Sequence, residues 1–315
     1  MHSIGIDIGG TKIAGAVVTE EGEIVTEDRM PTPAGDSEAI VDAVVAMIER
    51  LAVGNDIAAA GVAAPGFIDT TQSIVYYTPN ISWRNEPLRR RLLDRLDLSI
   101  TIDNDANAAG WAEFRFGAGR FATDMTMLTI GTGVGGAIVT QDRLFRGGYG
   151  AGAELGHMRV VPDGLPCGCG ARGCIEQYGS GRALLRMANE LADLGGIGLG
   201  LAALRQEKGT LRGEDVASLI VGGDPGALQA LRQLGHWLGQ ACASLSAVLD
   251  PQLFVIGGGV AVAGDLLLDP IRESFLSHLP ARGFHPEPEF TIAQLVNDAG
   301  VVGAADLARL HHESH

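Results

Sequence analysis

Residues 4–19 read IGIDIGGTKIAGAVVT: an apolar strand, a turn at Gly9-Gly10, and a second apolar strand. A glycine pair between two β-rich runs predicts a hairpin. Ile24–Asp28, which follows a Glu21-Gly22 turn, adds a third strand. The N-terminal part of the chain is therefore predicted to be a three-stranded meander.

The same pattern begins again in the middle of the chain. Met125–Ile130 is a predicted strand that ends in Gly131-Thr132-Gly133, and Gly136–Thr140 is the strand after it. Because both starts combine a strand, a Gly/Thr turn and a second strand, the sequence indicates an internal duplication of one supersecondary unit.

Helical patterns separate further strands in both halves, and this alternation predicts an α/β fold with a mixed sheet. Asp36 or Ser37 is the expected cap of the first helix, and Asn85 is that of the second. The predicted elements of the first half are helix 36–52, strand Ala58–Ala64, helix Asn85–Leu96, strand Ser99–Asp103 and helix 105–116. Those of the second half are helix Ala227–Leu249, strand Phe254–Ile256 and helix Ala299–His311.

The overall composition excludes several classes of protein. The 315 residues carry a net charge of −15, which argues against a general binder of nucleic acid or of anionic membranes. With 46% apolar residues the chain can fold, and no apolar run reaches the roughly 18 residues that a membrane span requires. The N-terminal residues lack the pattern of a signal peptide, so we expect a cytoplasmic protein with reduced thiols.

Three glycine turns each follow an apolar strand. They are Asp7-Ile8-Gly9-Gly10-Thr11-Lys12, Gly131-Thr132-Gly133 and Gly257-Gly258-Gly259. Glycines let backbone N–H groups approach an anion closely, and Asp7 could hold a hydrated Mg²⁺. One such turn alone is more typical of an ordinary hairpin, but three together favour the phosphate loops of a nucleotide site. The spacing is not that of a P-loop.

The segment Asp103-Asn104-Asp105 lies between a predicted strand and a predicted helix. Side chains at the carboxyl end of a strand face the ligand crevice of open α/β sheets. Asp105 could accept a proton from a hydroxyl group, and Asn104 could hydrogen-bond one. An ordinary helix cap explains one of the three polar residues equally well and leaves the other two unexplained.

The most specific motif is a cluster of thiols that follows His157. Its cysteines are Cys167, Cys169 and Cys174, separated by glycines that let the loop fold back on itself. Three thiols and one imidazole suit a tetrahedral Zn²⁺. Since four protein ligands leave no position for a catalytic water, the predicted zinc is structural. A loop of free thiols is the alternative.

Arg89, Arg90, Arg91 and Arg95 form a basic stretch. A solvated helix face is the simpler interpretation of such a run. The other is a docking surface for a polyanion such as polyphosphate.

These motifs together resemble those of the ROK family of sugar kinases and related regulators. The similarity rests on the N-terminal glycine loop, on Asn104-Asp105, on Glu154-Leu155-Gly156-His157, and on the cysteine loop with Glu176 after it. It extends over nearly the whole chain and is strongest towards glucose-phosphorylating members from actinobacteria. The fold that it implies consists of two actin/hexokinase-like (ribonuclease H-like) α/β domains with the ligand cleft between them. Their implied bounds are 1–109, joined by the C-terminal helix 299–315, and 110–298.

The resemblance also implies a role for each motif. Asp105 would be the general base that takes the proton of the sugar's 6-hydroxyl. The phosphates of Mg-ATP would lie against Asp7, the loop Gly9–Lys12 and the turn Gly131–Gly133. The adenosine would lie against Gly257–Gly259. Sugar contacts are implied for Asn80, Asn104, Asp105, Glu154, His157 and Glu176.

The expected activity is therefore ATP-dependent phosphorylation of glucose or a related hexose, by a dimer or tetramer. Mannose, N-acetylglucosamine or fructose as the acceptor, and polyphosphate as the donor, are the alternatives. Some members of the family are sugar-responsive regulators that carry a helix-turn-helix region ahead of the first domain. Here the first strand begins at residue 4, and Asp105 is present, so we expect an enzyme.

Overall fold

The computed structural model describes residues 1–33, 35–78 and 81–313, and they form two compact units. The first unit contains Met1–Thr123, Ala137–Ala153 and Gln294–His315. The second contains Asp124–Gly136 and Glu154–Ala293. The chain therefore passes from one unit to the other at four points.

Thirteen strands are present among the described residues. They are β1 (His2–Ile8), β2 (Lys12–Val18), β3 (Ile24–Pro31), β4 (Ile57–Ala64), β5 (Phe67–Ile68), β6 (Val75–Tyr77), β7 (Arg84–Glu86), β8 (Ser99–Asn104), β9 (Met125–Ile130), β10 (Val134–Thr140), β11 (Arg143–Leu144), β12 (Leu253–Gly257) and β13 (Glu289–Ile292).

Ten α-helices accompany these strands in the described part of the chain, and none of them is long and apolar enough to cross a membrane. They are α1 (Ser37–Ala52), α2 (Leu88–Leu93), α3 (Asp105–Phe116), α4 (Glu176–Gly179), α5 (Gly181–Leu194), α6 (Leu199–Lys208), α7 (Gly213–Val221), α8 (Pro225–Leu249), α9 (Asp265–His278) and α10 (Ala299–Glu313).

The first sheet has the strand order β3-β2-β1-β4-β8. The predicted meander is confirmed, since β1 pairs antiparallel with β2, and β2 with β3. Strands β1, β4 and β8 run parallel. Alternate residues of β1, such as Ile4 and Ile6, join a core that includes Val44 and Ile48 of α1. The carboxyl ends of β1 and β8 therefore lie on one edge of the sheet, and they carry Asp7 and Asn104.

The second sheet has the equivalent order, β11-β10-β9-β12-β13. Within it β12 pairs in parallel with both β9 and β13. Each sheet thus has a β-meander on one side and parallel strands on the other. This shared topology is the one that a duplicated supersecondary unit predicts.

Helix α10 returns to the first unit and lies directly on its backbone. A Cβ at Gly5 of β1 would collide with the carbonyl of Val301, and one at Gly61 of β4 with that of Ala304. On the helix itself, a Cβ at Gly303 would collide with the backbone of α3. The absence of a Cβ atom at these three glycines therefore allows the backbone of α10 to approach both the sheet and α3 closely.

The predicted cap at Asn85 is wrong. Asn85 lies inside β7 with φ +51°, and the helix begins only after Pro87, at Leu88. The reason is a hairpin in which β7 pairs antiparallel with β6 and so continues the strand through Glu86. By contrast, the predicted cap Asp36 accepts hydrogen bonds from the backbone N–H groups of Glu38 and Ala39.

The two units divide the chain at other positions than the resemblance implies. Residue 109 lies inside α3, and all of α3 belongs to the first unit. The segment Ala137–Ala153, which follows the turn after β9, belongs to the first unit as well.

Candidate functional site

The first glycine turn connects β1 to β2 and is largely exposed. The N–H of Gly9 donates to the carbonyl of Lys12, and the Thr32 hydroxyl donates to the carbonyl of Gly9 at 2.7 Å. The N–H groups of Gly10 and Thr11 have no acceptor among the described residues. A turn that presents free backbone donors can accept an anion.

The three polar residues after β8 have three different partners. Asn104 caps α3 by accepting a hydrogen bond from the N–H of Asn107, and it donates to the carbonyl of Gly66 at 3.0 Å. Asp103 is buried and accepts from two groups of Arg146, at 2.6 and 2.9 Å. Helix capping therefore explains why an asparagine is present at position 104, and the ion pair with Arg146 explains the aspartate at position 103.

Asp105 is the first residue of α3 and has no cationic partner in the described part of the chain. Burial raises the pKa of its carboxyl group above its usual value. Burial and the neighbouring charge of Asp105 raise the pKa of Asp7 to about 6, against the opposing effect of Lys12. Two carboxyl groups thus share one edge of the first sheet, and both hold their protons more tightly than exposed carboxyl groups do.

The second and third glycine turns lie next to each other in the second unit. A Cβ at Gly258, whose φ is +85°, would collide with the backbone of Ile130. Next to these turns is the start of α5: the N–H of Gly181 donates to the carbonyl of Gly131 at 2.8 Å, and Arg182 donates to that of Thr132 at 3.0 Å. The N–H groups of Thr132 and Gly133 have no acceptor among the described residues.

Glu176 connects the cysteine loop with the second glycine turn. One of its carboxylate oxygens accepts from the N–H of Val134 at 3.3 Å. The other forms an ion pair with Arg182 at 3.3 Å and lies 3.9 Å from the sulfur of Cys167. A Cβ at Gly133 would collide with a carboxylate oxygen of Glu176, so a larger residue here would displace that side chain.

His157 and the three cysteines of the loop meet in space. Their ligand atoms all lie within 4.8 Å of one another. The Nδ1 atom of His157 is 3.7 Å from the sulfur of Cys167, and the sulfurs of Cys169 and Cys174 are also 3.7 Å apart. Zn–S bonds of about 2.3 Å in a tetrahedron place two sulfurs roughly 3.8 Å apart. The cluster therefore has the donor set of a tetrahedral zinc site, and these two distances are compatible with one.

Loop glycines make this cluster possible, as the spacing predicts. Gly170 and Gly173 have φ of +90° and +78°. A Cβ at Gly173 would also collide with the carbonyl of Val161. Burial raises the pKa of the Cys174 thiol to about 12, so without a metal this ligand is protonated at neutral pH.

The remaining sequence-predicted residues are less informative. Asn80 lies outside the described residues. Glu154 is half-buried and precedes a short 3₁₀ turn that contains His157.

The basic stretch is largely committed to contacts with the protein. The Arg89 guanidinium donates to the carbonyl of Ile100, and Arg91 pairs with Glu86 and Glu38. Arg95 likewise pairs with Asp42. These contacts favour the solvated, ion-paired helix over a surface for a polyanion.

A family model described as the ROK family matches residues 3–311 of this chain. The chain belongs to the ROK family. Its sequence is 45% identical to a glucokinase of Streptomyces coelicolor over 310 residues, which is 98% of this chain and 97% of the relative.

Solved ROK structures share the fold over its full length. A crystal structure of a ROK family glucokinase from Streptomyces griseus, in complex with glucose and AMPPNP, is 44% identical with a TM-score of 0.88. The match covers 98% of this chain and all of that one. A ROK hexokinase from Thermus thermophilus is 32% identical with a TM-score of 0.81, and the match covers both chains completely. The two α/β units are thus those of the hexokinase-like fold that the resemblance implies.

Two features of this ROK protein were not predicted from the sequence. One is Arg146, which is distant in sequence from Asp103 but neutralises its charge. The other is Ser180-Gly181-Arg182 at the start of α5, beside the second glycine turn. A serine followed by a helical pattern could have identified the cap, but its neighbours are visible only in the folded chain.

Proposed function

We propose that this ROK protein is a glucokinase, which transfers the γ-phosphoryl group of ATP to the 6-hydroxyl of glucose. Asp105 accepts the proton of that hydroxyl as its oxygen attacks the γ-phosphorus. The bond between the γ-phosphorus and the bridging oxygen breaks, and ADP leaves. Phosphoryl transfer of this kind depends on positioning and on charge neutralisation more than on covalent catalysis.

The contrast between Asp103 and Asp105 carries this proposal. The two carboxyl groups are two residues apart, yet Asp103 is neutralised by Arg146 whereas Asp105 has no cationic partner among the described residues. A partly buried carboxylate with a raised pKa is a stronger proton acceptor than an exposed one. Asp105 therefore has the environment of a general base, and Asp103 has that of a structural residue.

The ligands of glucose and of Mg-ATP are part of the same proposal. The proposed sugar ligands are Asn104, Asp105, Glu154, His157 and Glu176. The free backbone donors of the first two glycine turns are suited to phosphate oxygens, and Asp7 to the hydrated Mg²⁺ that accompanies ATP. The turn Gly257–Gly259 lies on the adenosine side.

Zinc is the proposed structural cofactor, bound by His157, Cys167, Cys169 and Cys174. The support is the set of four donor atoms within 4.8 Å of one another. The zinc would hold together the cysteine loop that precedes Glu176. Protein side chains would occupy all four coordination positions of the metal.

A coupled assay of ADP release tests the proposed function. The purified protein is given glucose, mannose, N-acetylglucosamine or fructose, with ATP or polyphosphate as the donor, and sugar phosphate is measured as well. We expect the highest kcat/KM for glucose with ATP. If ADP release were no faster with any hexose than without sugar, the proposed function would be wrong.

A further inference from the structure

Arg182 lies beside the second glycine turn with most of its hydrogen-bonding capacity unused. Its Nε–H donates to the carbonyl of Thr132 at 3.0 Å, and one Nη forms the ion pair with Glu176 at 3.3 Å. The other three guanidinium N–H groups have no partner among the described residues, and the side chain is 64% exposed. The group is therefore oriented by the protein but open to a ligand.

The backbone next to this guanidinium is open in the same way. The N–H groups of Thr132 and Gly133 have no acceptor among the described residues, while Gly131 is bonded to the first residue of α5. Free N–H groups and an arginine side by side form a concentration of donors for oxyanions. The free groups named here are all donors, and phosphate oxygens are acceptors, so the two are complementary.

We propose that Arg182 binds the phosphate chain of the nucleotide donor, by donating its free N–H groups to phosphate oxygens when the nucleotide occupies the Gly131-Thr132-Gly133 turn. This inference rests on the proposed function, because it assigns a residue to the donor site of that reaction. It also has an electrostatic consequence. A protein with a net charge of −15 repels ATP at long range, so a cation at the phosphate turn opposes that repulsion locally.

Binding measurements on a series of ligands test the inference. The affinities of ATP, ADP and adenosine are measured by calorimetry for the wild type, Arg182→Ala and Arg182→Lys. Charge-assisted hydrogen bonds of this kind correspond to roughly 10- to 150-fold in affinity. We expect Arg182→Ala to lose about that factor for ATP and ADP and to bind adenosine like the wild type. Arg182→Lys keeps the charge and should recover part of the loss.

Arg186→Ala is the matched control, because Arg186 lies one turn further along α5. Its guanidinium donates to the carbonyl of Gln177 and pairs with Glu190. We expect this variant to bind all three ligands like the wild type.

Three results would count against the inference in different ways. If the affinity of Arg182→Ala for ATP were within about twofold of the wild-type affinity, Arg182 would not contact the phosphates. If the KM for glucose rose while ATP affinity was unchanged, Arg182 would act through Glu176 instead. If the wild type itself bound neither ATP nor ADP, the proposed function would be wrong and this inference with it. The zinc content and melting temperature of each variant show whether the fold is intact.

Discussion

Arg146 donates two hydrogen bonds to a single oxygen of Asp103, at 2.6 and 2.9 Å, while the other oxygen accepts from Asn107 and from the backbone of Asn104. The ion pair therefore holds the backbone that precedes Asp105. Arg146 lies in the segment Ala137–Ala153, which the chain adds to the first unit after leaving it once.

Removing Arg146 should destabilise the protein, because it leaves the Asp103 carboxylate buried without its cation. We expect Arg146→Met to lower the free energy of unfolding by about 3 kcal/mol, at the lower end for buried pairs since Arg146 is partly exposed. Denaturant unfolding measures this change. The double variant Asp103→Asn, Arg146→Met should be more stable than Arg146→Met alone. Equal stability of the single variant and the wild type would show that the pair contributes nothing.

Asp105→Asn should preserve the fold and remove the proposed base. A general base typically contributes roughly 10²- to 10⁴-fold, so kcat should fall by at least the lower factor while the Kd for glucose changes little. Steady-state kinetics and calorimetry measure the two quantities separately. If the variant kept more than about a tenth of the wild-type kcat, Asp105 would have no part in proton transfer.

Asp7 should make the stability of the protein depend on pH. Its pKa in the folded chain is about 6, above the usual 3.8, so folding favours the protonated carboxyl group. The contribution of Asp7 is therefore most favourable below pH of about 4 and is lost as the pH rises through 6. Asp7→Asn removes this loss, and at pH 8 it should be more stable than the wild type by up to about 3 kcal/mol.

Denaturant unfolding of both proteins between pH 4 and pH 8 measures this difference. We expect the stability difference between Asp7→Asn and the wild type to grow with pH up to about 6 and then to level off. A difference that stays constant over this range would mean that Asp7 ionises normally.

Purified protein should contain one zinc ion per chain. Stripping the metal should lower the melting temperature, because structural zinc contributes folding free energy directly. Elemental analysis and thermal unfolding check these two outcomes. Cys242→Ala is the control for thiol content, since Cys242 is buried elsewhere in the chain and should not alter the metal content. A zinc-free preparation with an unchanged melting temperature would contradict the assignment.

His157→Cys should separate metal binding from sugar binding. The Nδ1 atom of His157 faces the sulfur of Cys167, so with zinc bound there the remaining N–H is on Nε2. A fourth thiolate can keep the metal but has no such donor. We therefore expect the variant to retain zinc and to lose roughly 10- to 150-fold in glucose affinity. Wild-type affinity in a zinc-containing variant would show that His157 serves only the metal.

Local sequence patterns predict those parts of the fold that depend on neighbouring residues. Short spacings in the sequence predict the meander β1–β3, the cap Asp36 and the four proposed zinc ligands. In the structure the three strands pair, Asp36 caps α1, and the four ligand side chains lie close together. The cap at Asn85 was predicted by the same kind of reasoning and is wrong, because pairing between β6 and β7 overrides the local preference.

The other contacts of the candidate site depend on residues far apart in the chain. Asp103 and Arg146 are 43 positions apart, and Arg182 reaches Thr132 over 50 positions. No periodicity in the sequence predicts such pairs, because the distance between their side chains depends on the order of the strands in each sheet. For the same reason, the sequence gives no sign that Ala137–Ala153 belongs to the first unit.

Helix α10 has a consequence for the order in which this protein can fold during synthesis. The ribosome releases β1, β4 and α3 first, then all of the second unit, and only then the helix that lies on Gly5 and Gly61. Until that moment the backbone of β1 and β4 that α10 covers is exposed. We expect the second unit to be able to complete its fold without α10, whereas the first unit needs this last helix. A released chain truncated before Ala299 should therefore expose its N-terminal half to protease while its second unit resists.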